Sequence, residues 1–211
     1  MAYSKTQFVS YQLNTFTSYI NSTSQWTYMG NTDSDADIDY RVNVMIKCID
    51  EASKSSQIDG DSSTLKIFMA PEFYFRGLAG AYPVEKLSTI MDKLRNHTKA
   101  SGFKDWLFVF GTAIGWMEVP SDANRKEIIN AALVQKGGIT DAQNDTSKIV
   151  MKEYISHIDF AQKFPGLDWN NPNHRVGVVS GNPLTKLTPV SGSKDVNTVP
   201  SKAIDNVHER S

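Results

Sequence analysis

The sequence predicts a layered α/β domain, on three observations. Short apolar runs of strand length alternate with segments whose apolar residues recur at helical spacing. A helix separates the first apolar runs and turn-rich connections separate the later ones, so parallel and hairpin-like pairing are both expected in one sheet. The 211 residues, 40% hydrophobic and 21% charged, suit one globular domain, which at this length buries about 70% of the surface its unfolded chain exposes.

Taken in order, the first 40 residues are polar and end in an acidic run, Asn31-Thr32-Asp33-Ser34-Asp35-Ala36-Asp37-Ile38-Asp39. Alternating carboxylates invite a calcium reading. An EF-hand loop, however, wants glycine at its sixth position and glutamate at its twelfth, and counting from Asp33 these hold Ile38 and Val44. A solvated loop entering a helix is expected instead, since helix N-termini favour acidic residues. Over residues 40–55, Val42, Met45, Ile46, Ile49 and Ala52 form one helical face, with Cys48 on or beside it. A free cysteine there behaves as a small hydrophobe.

After a turn at 58–63, Leu65-Lys66-Ile67-Phe68-Met69-Ala70 reads as a buried strand bounded by Pro71. A second helix is expected from Val84 to Ala100, with Leu87, Ile90, Met91 and Leu94 on one face and Ser101-Gly102 ending it. Trp106-Leu107-Phe108-Val109-Phe110 reads as a strand closed by Gly111; Ile128 to Gln135 and Lys148 to Ile155 read as two more. From Ser180 to Ser211, glycine and proline interrupt a Ser/Thr/Asn/Lys-rich stretch that reads as a loop or disordered tail. The domain is therefore expected over residues 1–179.

Composition removes several classes of function. Lys and Arg number 22 against 23 Asp and Glu, so the basic excess that phosphate-backbone binding requires is lacking, and no nucleic-acid partner is expected. The single cysteine excludes an internal disulfide framework and cysteine-cluster metal sites. The polar N-terminus and the lack of any long apolar window point to no membrane partner and a cytoplasmic location. His157, Asp159 and His174 have no metal-binding spacing, and no metal site is expected. Trp106, Trp116 and Trp169 suit packing or pocket lining.

Two groups carry candidate chemistry. Glu72 directly follows the Leu65–Ala70 strand and Pro71, at the strand end where open α/β sheets place reacting groups. Flanked by Phe73, Tyr74, Phe75 and Arg76, it is either a partly desolvated general base or the partner of Arg76 on a loop. Lys152 follows the apolar triplet Ile149-Val150-Met151, so its ammonium is either placed to stabilise an oxyanion or directed to solvent. Phe73, Tyr74, Phe75 and Arg76 are the candidate substrate-binding residues, with Arg76 suited to a substrate carboxylate.

Over roughly residues 40–160 these features resemble the carbon–nitrogen hydrolase, or nitrilase, superfamily. They arrive in its order: helix, apolar strand ending Pro71-Glu72, Gly77, helix, strand ending Phe110-Gly111-Thr112, the Asn130-Ala131-Ala132 strand, and Lys152. The resemblance implies an α-β-β-α sandwich and a Glu–Lys–Cys triad acting on small amides or nitriles without metal or organic cofactor, in subunits that associate. It maps the general base onto Glu72 and the oxyanion-stabilising lysine onto Lys152. The chain departs from the pattern at the nucleophile. No cysteine follows Lys152, and Cys48 precedes both partners within a helix. Ser180, at the end of Arg175-Val176-Gly177-Val178-Val179, stands near the position the family's cysteine would take. The expectation is a sandwich incomplete at its C-terminus, either a truncated hydrolase or a catalytically inactive binding protein of the same fold. An incomplete sandwich leaves apolar surface open, so self-association is expected.

Overall fold

The computed structural model describes residues 2–15, 18–20, 25–27, 29–78, 80–119, 122–139, 147–151 and 197–199. In chain order its elements are β1 (Lys5–Ser10), β2 (Ser18–Ile20), β3 (Gln25–Thr27), α1 (Ser34–Lys54), β4 (Thr64–Met69), β5 (Tyr82–Pro83), α2 (Lys86–Thr98), a 3-10 turn (Ser101–Phe103), β6 (Trp106–Val119), β7 (Asp122–Lys136), β8 (Lys148–Met151) and β9 (Asn197–Val199).

Helix α1 begins inside the acidic run rather than after it. Asp33 is its N-cap, with extended backbone and a carboxylate that accepts from the Asp35 and Ala36 amides at 2.8 and 3.0 Å. Asp35 and Asp37 occupy the first turn, where the helix dipole favours them. The run expected as a loop is thus a cap and first turn. Ile38, Val42, Met45 and Ile49 form the buried face, and Cys48 lies partly exposed on its flank.

The mixed α/β character expected from the sequence is present. One seven-stranded sheet runs β1-β4-β6-β7-β8-β9, with β5 also paired to β6, while β2 and β3 form a separate antiparallel pair. β1, β4 and β6 are parallel, joined by connections that carry α1 and α2. β6, β7 and β8 are antiparallel, and β9 is parallel to β8. Three strands differ from what the sequence predicts. β1 was not foreseen, because Lys5-Thr6-Gln7-Phe8-Val9-Ser10 is a half-solvated strand with few apolar residues. Gly111 does not close β6, which continues to Val119 and pairs with a β7 that starts at Asp122. Within the stretch expected as a loop from Ser180 on, Asn197–Val199 forms strand β9.

The sheet has two unlike faces. Phe68, Phe108, Phe110, Ala113, Ile129, Ala131, Leu133 and Ile149 join the buried faces of α1 and α2 in a single core. Met45, Ile49, Leu87 and Phe108 are wholly buried there, each worth about 1.5–3 kcal/mol of transfer free energy. Alternation along each strand sends the intervening residues to the other face. There Phe8, Ile67 and Leu107 lie in register across β1, β4 and β6, next to the row Met69, Val109 and Val134. Phe8 is 69% and Met69 43% exposed. Among the described residues, no helix is long and apolar enough to cross a membrane.

Candidate functional site

β4 ends at Met69 and passes the chain to Ala70-Pro71-Glu72-Phe73-Tyr74-Phe75-Arg76 at the carboxyl end of the parallel strands. This loop is laced to β6. Ala70 N donates to Val109 O at 2.9 Å, Phe75 N to Thr112 O at 3.1 Å, and Ile114 N to Phe75 O at 2.8 Å. Phe73 N donates to the Thr112 hydroxyl at 2.8 Å. The lacing depends on a bulge. The pairing steps from Val109↔Val134 to Thr112↔Ala132, so Phe110 and Gly111 together oppose the single residue Leu133. Gly111 has φ +73°, and a Cβ there would lie 2.2 Å from the Pro71 carbonyl oxygen. Only glycine allows the loop to come so close.

Glu72 accepts a hydrogen bond from Asn130 Nδ2 at 3.1 Å. Asn130 lies in β7 between Ile129 and Ala131, which both belong to the core beneath the helices. Alternation therefore turns Asn130 to the opposite face of the sheet, and Glu72 with it. Asn130 is 1% exposed, and among the described residues its Oδ1 has no hydrogen-bond partner. A buried acceptor left so costs about 1–3 kcal/mol and calls for an explanation beyond folding. The neighbouring residue is also strained: Phe73 has φ +63°, the one described non-glycine residue with positive φ, a conformation that clusters at functional sites.

That left-handed residue sends its two neighbours apart. In an extended chain residues two apart share a face; here Glu72 goes to the Asn130 face and Tyr74 to the helix side. Tyr74 packs edge-on against Tyr11 and Phe75, and its hydroxyl donates to Arg41 O at 2.9 Å. Burial raises the pKa of the Tyr74 phenol well above its ordinary value, and does the same for Tyr82. Beside them Asp37, 2% exposed, accepts from Asn31 N at 2.8 Å, from Arg41 Nε at 2.7 Å and from the Tyr82 hydroxyl. Arg41 Nη1 donates to Tyr74 O at 2.8 Å, and Nη2 donates to Met29 O.

The sequence-predicted residues divide accordingly. The aromatic neighbours do not desolvate Glu72, which stays exposed because Tyr74 and Phe75 are buried on the helix side. Phe73, Tyr74 and Arg76 line a cavity of about 860 Å³ together with Tyr11, Tyr40 and Arg41, whereas Phe75 belongs to the core. Cys48 neighbours the Tyr11 hydroxyl from within α1. Trp106 is a core residue stacked on Phe108. Lys152, Ser180, His157, Asp159, His174 and Trp169 lie outside the described residues. Among the described residues, no group of three or more His, Cys, Asp or Glu is placed to hold a metal ion.

Sequence reasoning names Asn130 and Thr112 only within the strands that carry the resemblance and gives neither a role of its own. Asn130 carried a signal, being a polar residue inside the apolar run Ile128-Ile129-Asn130-Ala131-Ala132. Thr112 did not, since its role depends on the bulge at Gly111. No protein-family model, curated protein or solved structure matches the chain.

Proposed function

We propose that this chain is a carbon–nitrogen hydrolase of the nitrilase type, acting on a small amide or nitrile with Glu72 as general base and Lys152 as the cation that stabilises the developing oxyanion. One observation carries the reading. Glu72 stands just past the carboxyl end of a parallel strand, held at 3.1 Å by a buried asparagine from β7 and next to a residue in left-handed backbone. Lys152 directly follows Met151, whose β7 partner Ala131 is the chain neighbour of Asn130.

In this reading Glu72 takes the proton of the attacking side chain, which adds to the amide carbon. Negative charge on the carbonyl oxygen is met by the Lys152 ammonium. Glu72 then returns the proton to the leaving amine, and finally deprotonates the water that cleaves the acyl-enzyme to a carboxylic acid. Ser180 is the nucleophile candidate, because Cys48 sits within a helix instead of at a strand end. The chemistry calls for no metal or organic cofactor. The reading implies an α-β-β-α sandwich, with a second sheet over the face that carries Asn130, and subunits that self-associate. A second reading, a catalytically inactive binding protein of the same fold, is favoured by the place of the sole cysteine in α1.

Ammonia release from aliphatic and aromatic amides and nitriles decides between the two. The expected result is turnover by the wild-type chain, unchanged in Cys48→Ala, with kcat/KM reduced about 100-fold or more in Glu72→Gln. No ammonia from any substrate, or an equal rate in Glu72→Gln, overturns the hydrolase reading and leaves the binding one.

A further inference from the structure

We infer that the cavity on the helix side of the sheet is a binding site for an uncharged, flat aromatic molecule, separate from the face that holds Glu72 and Asn130. Its volume, about 860 Å³, falls within the range of roughly 300–1,000 Å³ typical of small-molecule sites. Its walls come from the segment after β1, the segment before α1, the first three turns of α1 and the Phe73–Arg76 loop. Tyr74 brings that loop to the helix side while Glu72 leaves for the other, so the cavity and the Glu72 carboxylate occupy opposite faces of the same sheet.

Apolar exposure is concentrated at this hollow. Five large apolar side chains stand exposed among the described residues, and three of them, Leu13, Met29 and Tyr40, line the cavity at 48, 71 and 70% exposure. They come from three separate segments of the chain, so it is the fold that brings them together. Apolar exposure gathered around one concavity marks a binding surface, unlike single hydrophobics scattered over a protein. A fourth, Met69, lines an adjoining hollow of about 540 Å³ that shares Tyr11 and Leu13 with the first. Within the larger cavity Tyr11 and Tyr74 stand edge-on with ring centres 5.6 Å apart, and Phe73 adds a third ring. Such walls favour a flat ring in offset or edge-on contact.

The charged groups of the lining select against an ion. They are Asp37, Arg41 and Arg76, and each is already engaged. Asp37 accepts from Asn31 N on one oxygen and from Arg41 Nε and the Tyr82 hydroxyl on the other. Arg41 directs its remaining nitrogens to Tyr74 O and Met29 O. Arg76 is 3% exposed, lies with its guanidinium 4.7 Å from the Phe73 ring centre, and has a further partner of its own. A charged ligand entering here sheds its water and meets no unused opposite charge, a penalty that an uncharged ring escapes.

The test is fluorescence titration of the full chain with N-phenyl-1-naphthylamine, an uncharged probe that brightens in apolar surroundings, and with 1-anilinonaphthalene-8-sulfonate, the same ring skeleton carrying an anion. Turnover is not needed, so the result stands whether or not Glu72 is catalytic. The expected result is saturation at one N-phenyl-1-naphthylamine per chain, bound about tenfold tighter than the sulfonate. Flat 2-naphthol displaces it about fivefold better than its saturated, puckered counterpart decahydro-2-naphthol. Met29→Ala combined with Tyr40→Ala, at two exposed rim positions, weakens binding about tenfold or more, as truncating apolar anchors does. Phe8→Ser, on the other face of the sheet, leaves it unchanged. The proposal is overturned if the uncharged probe does not saturate, if the sulfonate binds as tightly or tighter, if the two naphthols compete equally, if the rim substitutions leave affinity unchanged, or if Phe8→Ser weakens binding as much as they do.

Discussion

At Gly111 one missing methyl group decides how β6 meets the loop that carries Glu72. A Cβ there would lie 2.2 Å from Pro71 O on a backbone with φ +73°, so clash and strain act together. Gly111→Ala is expected to lower stability by about 2 kcal/mol or more, read as an earlier urea midpoint; an unchanged midpoint means that the Pro71 carbonyl yields freely. Glu72 itself is legible in the sequence, as a carboxylate just past an apolar run and a proline. Its partner Asn130 is not, because 58 positions separate them and only the β6–β7 register brings them together. The aromatic residues after Glu72 mislead for the same kind of reason. Their chain proximity suggests desolvation, while the left-handed Phe73 turns Tyr74 to the far side of the sheet.

The two helices show which interactions hold an element in place. α1 and α2 are linked by Asp35–Lys86 at 2.7 Å, Asp39–Lys93, and Asp50–His97 at 2.8 Å. All three pairs are partly or largely exposed, and such pairs contribute little. Beneath them Leu87 is wholly buried, packed where β6 has Gly115 instead of a side chain. Leu87→Ala is therefore expected to cost about 2–5 kcal/mol, while Lys86→Ala leaves the unfolding midpoint within error. Comparable losses in the two variants overturn that ranking. The helices' apolar faces were legible from spacing alone. The start of α1 was not, since Asp33 reads as loop until its carboxylate is seen capping the first turn. The continuation of β6 was hidden as well, because a glycine after an apolar run reads as a terminator and here makes a bulge.

For the molecule as a whole, the unlike faces of the sheet govern behaviour in solution. Both described helices cover one face, while Phe8 and Met69 stand exposed on the other, and among the described strands β1 pairs on one side only, with β4. Exposed apolar strand surface at a sheet edge favours association. Light scattering is expected to show a concentration-dependent rise in mass that Phe8→Ser reduces; a monodisperse monomer in both proteins counts against it. The α/β class was legible because apolar runs of strand length alternate with helical spacing. The edge strand was not, since half of it faces solvent and its composition is that of a loop. The loop after β4 adds a constraint of another kind. Glu72 and Tyr74 reach opposite faces because left-handed Phe73 interrupts the alternation between them, and the Thr112 hydroxyl holds the Phe73 amide from outside the loop. Surface loops usually absorb insertions, but this one has a fixed length: a single added residue between Pro71 and Tyr74 takes the left-handed position out of line with the Thr112 hydroxyl that holds it. A family of such chains can vary the identity of residues here more freely than their number.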